Sequence, residues 1–146
     1  MSDIPAENLA LVTCTPIAIY RHRLLMLEKA LFEAPHPEEF DMSLVIHDCG
    51  TPGCAFGHYV YRTDLQDAFA PQQVRGFWFP VFKGTDRAAV YFEREVREHF
   101  GLSLDEQKGL FSSCGCAGAK TAVDAAAFVA QFVDCKYPQW LPRQQP

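Results

Sequence analysis

The stretch Thr15-Pro16-Ile17-Ala18-Ile19-Tyr20-Arg21-His22-Arg23-Leu24-Leu25-Met26-Leu27-Glu28-Lys29-Ala30-Leu31-Phe32 decides the fold class. A hydroxyl residue followed by proline is a helix start, because the hydroxyl caps and proline at the first helical position gives up no bond. Ile17, Tyr20, Leu24, Leu27 and Leu31 then recur at steps of three and four, which makes one apolar stripe. Pro35 and Pro37 end the pattern.

Similar punctuation recurs along the chain. Thr51-Pro52 predicts a second helix through about Tyr61, and Thr63-x-x-Gln66 reads as a capping box for a short helix ended by Pro71. Thr85-Asp86 precedes a helix with Ala89, Phe92, Val96 and Phe100 inward, and Gly101 stands where a left-handed C-cap belongs. Ser103-x-x-Glu106 boxes a short helix carrying Leu110 and Phe111. Thr121-x-x-Asp124 caps a last helix with Ala125, Phe128, Val129, Phe132 and Val133. Leu44-Val45-Ile46 fits a short strand or a packed extended turn. The aromatic run Phe77-Trp78-Phe79-Pro80-Val81-Phe82 lies between Gly76 and Gly84 and fits a loop or short hairpin. The expected fold is mainly α: a small irregular bundle of five or six helices with a minor extended or hairpin element. Residues 1–14 read as an N-terminal extension, 15–136 as a single helical domain and 137–146 as a Pro-rich tail whose Trp140 is exposed or latched.

Charge narrows the partners. Residues 1–73 hold four basic against ten acidic side chains, and residues 74–146 hold nine against eight. Glu33, Glu38, Glu39, Asp41 and Asp48 follow one another with no Lys or Arg between them. Such a field repels phosphate backbones, so nucleic acid is disfavoured and a basic protein surface is the better electrostatic partner. The start Met1-Ser2-Asp3-Ile4-Pro5 lacks a signal-peptide pattern, and no apolar run approaches the ~20 residues of a membrane span. The expected compartment is the cytosol, where the six cysteines stay reduced. No feature selects an oligomeric state.

The segment Cys49-Gly50-Thr51-Pro52-Gly53-Cys54-Ala55-Phe56-Gly57-His58 could carry chemistry. With Thr51 as N-cap, Cys54 lies in the first helical turn, where the helix dipole favours thiolate. His58 follows four residues on, hence on the same face. Three readings fit. Cys54 is a nucleophile with His58, His47 or His99 as base. Alternatively Cys49, Cys54 and His58 hold zinc, joined by Cys114 or Cys116. Or the cysteines are small core residues and Gly53 and Gly57 admit a close neighbour. The segment resembles the Cys-Gly-Ser-Cys-Trp-Ala-Phe run of papain-like proteases. Its cysteines, however, have four residues between them instead of two, and no β-rich half follows to supply the base. Cys114-Gly115-Cys116-Ala117-Gly118-Ala119-Lys120-Thr121 is not a phosphate loop, because Ala119 stands where glycine must precede the lysine. No cofactor motif is complete.

From about Arg23 to Val133 the order of signals is similar to a group of small bacterial and phage-encoded proteins with no assigned activity. The similarity rests on Glu39-Phe40-Asp41-Met42-Ser43, on the Cys-Gly-Thr-x-x-Cys-x-x-Gly segment followed by His58 (His or Trp in the group), and on His99-Phe100-Gly101-Leu102-Ser103. It implies a compact helical domain of phage or mobile-element origin. The expected function is that of an interaction or regulatory protein binding a host or partner protein. The alternatives are a thiol hydrolase or transferase using Cys54, and a Cys/His metal-binding protein.

Overall fold

A computed structural model of the chain describes residues 16–47, 49–89, 93–112 and 115–140. Five helices surround one aromatic centre: α1 (Pro16–Phe32), α2 (Ala55–Tyr61), α3 (Arg94–Phe100), α4 (Leu104–Phe111) and α5 (Ala122–Lys136). Between α2 and α3 runs an antiparallel hairpin of β1 (Phe69–Val74) and β2 (Phe77–Phe82). Mainly helical with one hairpin is what the punctuation predicts.

Helix α1 lies across the domain and packs most extensively on α5, then on α2 and α3. Its stripe holds: Leu24, Leu27 and Leu31 are buried, while Ile17 at the outer end is half exposed. Thr15, its expected cap, lies outside the described residues. Gly101 ends α3 in the left-handed conformation (φ 63°), with its own N–H and that of Leu102 returning to the last turn. A Cβ there would also collide with the Tyr20 ring of α1, so glycine is required twice over. The Ser103–Glu106 capping box of α4 and the Thr121 cap of α5 both form. Lys136 of α5 then binds both carboxylate oxygens of Glu106 at 2.8 and 2.9 Å, tying the end of one helix to the start of another.

The centre is built from rings contributed by separate elements. Phe56 of α2 meets Phe69 of β1 at 5.2 Å and Phe111 of α4 at 5.8 Å, both edge-to-face, and Tyr59 meets Phe100 of α3 at 4.8 Å. Each such pair adds about 0.5–1.5 kcal/mol beyond its buried area. At the C-terminal end Trp140 is latched, with Tyr137 at 5.9 Å and the Arg21 guanidinium over its ring at 5.2 Å.

Three helix starts differ from expectation, each because the backbone donors find partners elsewhere. Thr51-Pro52 opens no helix: Ile46 and Pro52 form a β-bridge, and α2 starts at Ala55 with Cys54 as N-cap. Thr63–Gln66 forms a turn after α2. The buried Gln66 amide is used inward, its Oε1 accepting from the N–H groups of Ala68 and Phe69 at 2.8 Å to launch β1. Thr85 makes a local turn, donating to Phe82 O and accepting from Arg87 N. Residues 87–89 then run beside β2, with Phe82 N donating to Arg87 O and Ala89 N to Pro80 O. Helix α3 therefore begins only at Arg94, and Phe92 lies outside the described residues.

The hairpin tolerates two prolines for a geometric reason. Arg75 and Gly76, both at positive φ, make a two-residue turn that closes on the Val74–Phe77 pair. Counting back from that bonded pair, Pro71 faces Pro80 at a non-hydrogen-bonded position, so neither missing N–H removes a ladder bond.

Candidate functional site

The Cys49–His58 segment is built against the chain that precedes it. Gly53 N donates to Val45 O at 2.9 Å and Cys54 N to Leu44 O at 2.7 Å, while His47 N donates to Thr51 O at 2.8 Å. The two strands of this contact approach so closely that a Cβ on Gly53 would strike the Leu44 carbonyl, and one on Gly57 the Val45 carbonyl. Trp78 of β2 closes the other side, over Gly50, and the Tyr61 hydroxyl donates to Gly50 O.

This placement changes the expected chemistry of Cys54. Its side chain is 1% exposed and makes no capping bond. Burial pushes the thiol up to about 11, the reverse of the helix-start expectation. His58 is turned to the backbone, its Nδ1–H donating to Cys54 O at 2.9 Å, with the Phe40 ring 5.8 Å away. Burial holds its imidazole below the usual histidine range, hence neutral. His47 is likewise engaged, donating from Nε2 to Glu39 O at 2.8 Å.

The expected metal set does not assemble. Cys49 sits exposed on the turn, its sulfur 3.2 Å from the Thr51 hydroxyl, which holds the thiol below the ordinary cysteine range. Cys116 joins Cys54 in the core. There it is pushed up to about 12, first by burial and then by the neighbouring Cys54, and its S–H is directed at Leu110 O. Cys114 lies outside the described residues. Among the described residues no three His, Cys, Asp or Glu side chains converge as a metal site. The 112–120 connection holds a 3₁₀ turn at Cys116–Gly118, with Cys116 and Ala117 both at φ 53°.

A different group of side chains meets in an open cleft of about 270 Å³. Helix α1 supplies His22, Arg23 and Met26, α2 supplies Tyr59, the turn before β1 supplies Leu65 to Ala68, and α3 supplies His99. The Tyr59 hydroxyl lies 2.7 Å from His99 Nε2, and Arg23 Nη1 donates to His99 O at 2.7 Å. Burial first, and the nearby Arg23 charge second, depress the His99 imidazole to about 3. Burial raises the Tyr59 phenol far above its ordinary value. Both groups are neutral near pH 7. The Tyr59 hydroxyl and His99 Nε2 share one hydrogen bond, whose direction follows the tautomer of the neutral ring.

Sequence reasoning names His99 as a possible base for Cys54, yet the structure gives it Tyr59 and Arg23 instead. Arg23 and Tyr59 carried no local signal, since their partners lie 76 and 40 residues away in the chain. No helix among the described residues is long and apolar enough to cross a membrane. No family model matches this chain, and no curated protein or solved structure is significantly similar to it.

Proposed function

We propose that this chain is a small interaction or regulatory protein that works by binding a protein partner. The hairpin tip carries the reading. Phe77 is 72% exposed and pairs across the turn with Val74, itself exposed, so one face of the tip is apolar and free of the core. A phenylalanine left in water on a projecting ribbon is the kind of anchor that protein interfaces bury. The acidic side chains Glu33, Glu38 and Glu39 are exposed as well, which favours a partner with a basic surface. The motif resemblance to phage-encoded proteins, resting on the sequence alone, is what suggests a host protein as that partner.

The thiol-enzyme reading has less support, because Cys54 is enclosed and neither His58 nor His47 addresses its sulfur. The test is affinity capture with the full chain and with Phe77→Ser, a surface change that leaves the core untouched. The expected result is a protein retained by the wild type and lost from the variant. Identical captured sets from both would remove the hairpin from the proposal.

A further inference from the structure

The Tyr59–His99 cleft has a chemistry that partner binding through the hairpin does not use. Arg23 is anchored at one corner of its guanidinium, where Nη1 reaches His99 O. A guanidinium carries five N–H donors in a planar fork suited to a carboxylate. Among the described residues no carboxylate pairs with Arg23. Asp67, which also lines the cleft, is engaged by Lys83. Met26, Leu65 and Ala68 add apolar wall. The volume of about 270 Å³ falls below the roughly 300–1,000 Å³ of sites for drug-sized molecules, so the occupant is small.

We propose that this cleft binds a small organic monocarboxylate, its carboxylate on the Arg23 guanidinium and its apolar body against Met26, Leu65 and Ala68. A monoanion suits the site better than a phosphate dianion, because one guanidinium stands beside one aspartate. The neutral Tyr59–His99 pair forms a polar wall that adds no charge of its own.

The test is a titration of the isotopically labelled full chain with sodium benzoate at constant ionic strength, following the Arg23 Nε–H and His99 ring signals by NMR. Saturable shifts at both residues with one shared Kd are expected. Arg23→Gln removes the charge while keeping a donor for His99 O, and should weaken benzoate about ten- to a hundredfold. Arg23→Lys keeps the charge but loses the fork, and should also bind more weakly. Non-saturating shifts in the wild type would overturn the proposal without any variant. So would unchanged affinity in a folded Arg23→Gln, or inorganic phosphate binding more tightly than benzoate.

Discussion

His58 and Tyr59 are neighbours on α2, yet they belong to regions of opposite character. His58 faces Phe40 and the Cys54 carbonyl, in a segment closed by backbone contact and by Trp78. Tyr59 reaches His99, at the base of an open cleft. The closed region holds the conspicuous local motif, and the open one has no motif. Cysteine, glycine and histidine at helical spacing (Cys54, Gly57, His58) are buried here, while a polar pair with shifted acidities comes from residues scattered along the chain.

The comparison breaks first at Phe56, through which the closed segment enters the aromatic centre. Phe56→Ala would leave a cavity between Phe69 and Phe111 and should cost about 3–5 kcal/mol. Urea unfolding measures this. A loss under about 1 kcal/mol would mean that the segment is only loosely joined to the core.

Next come two glycines with opposite expectations. Gly57→Ala drives a methyl into the Val45 carbonyl, and should destabilise by about 1–3 kcal/mol. Gly109→Ala in α4 meets nothing within 4 Å and should stabilise by about 0.5–1 kcal/mol through helix propensity. Equal effects at the two sites would show that closeness to residues 44–45 is not why Gly57 is glycine.

Acid should then load both regions together. His58 and His99 have folded pKa values below the ordinary ~6.5, so the unfolded chain takes up their protons first. Stability is therefore full above about pH 6.5 and declines as pH falls toward the folded value of about 3 for His99. The slope is at most about 1.4 kcal/mol per pH unit for each histidine. Paired carboxylates such as Glu106 and Asp64 add the same sign only at lower pH. Between pH 6.5 and 5 the double variant Tyr59→Phe/His99→Phe should flatten the slope, leaving the part that belongs to His58. An unchanged slope would show that His99 is not held neutral by the fold.

Where the sequence was legible, the deciding bonds are local. The stripe of α1, the Ser103–Glu106 box, the Thr121 cap and the left-handed Gly101 each involve residues within a turn or two, so spacing alone identifies them. Thr51-Pro52, Thr63–Gln66 and Thr85-Asp86 look the same in sequence. Their backbone groups, however, are taken by residues 44–47, by the Gln66 side chain and by the edge of β2. A capping residue signals that the backbone needs a partner without naming which one. The candidate site divides in the same way: His99 was visible as a titratable group, but its partners on α1 and α2 are fixed only by the packing of three helices.

The smallest expected energy effect is also the sharpest test of the closed segment. Cys49→Ser lies on an exposed turn and should change stability by no more than about 0.5 kcal/mol. Reactivity should nonetheless separate the cysteines widely. The Thr51 hydroxyl lowers the Cys49 thiol, whereas burial lifts Cys54 to about 11 and Cys116 to about 12. Thiolate and access are both needed for alkylation, and Cys49 alone of these three has both. In native protein at pH 7.5, iodoacetamide followed by mass spectrometry should label Cys49 early. Cys54 and Cys116 should be labelled only at the rate of unfolding, and faster as urea is added. Thr51→Val should move the Cys49 rate profile to higher pH without altering the other two. Native-state labelling of Cys54 as fast as that of Cys49 would mean that the segment opens. Cys54 would then have the access that a nucleophile requires, and the contrast between a closed motif and an open cleft would not hold.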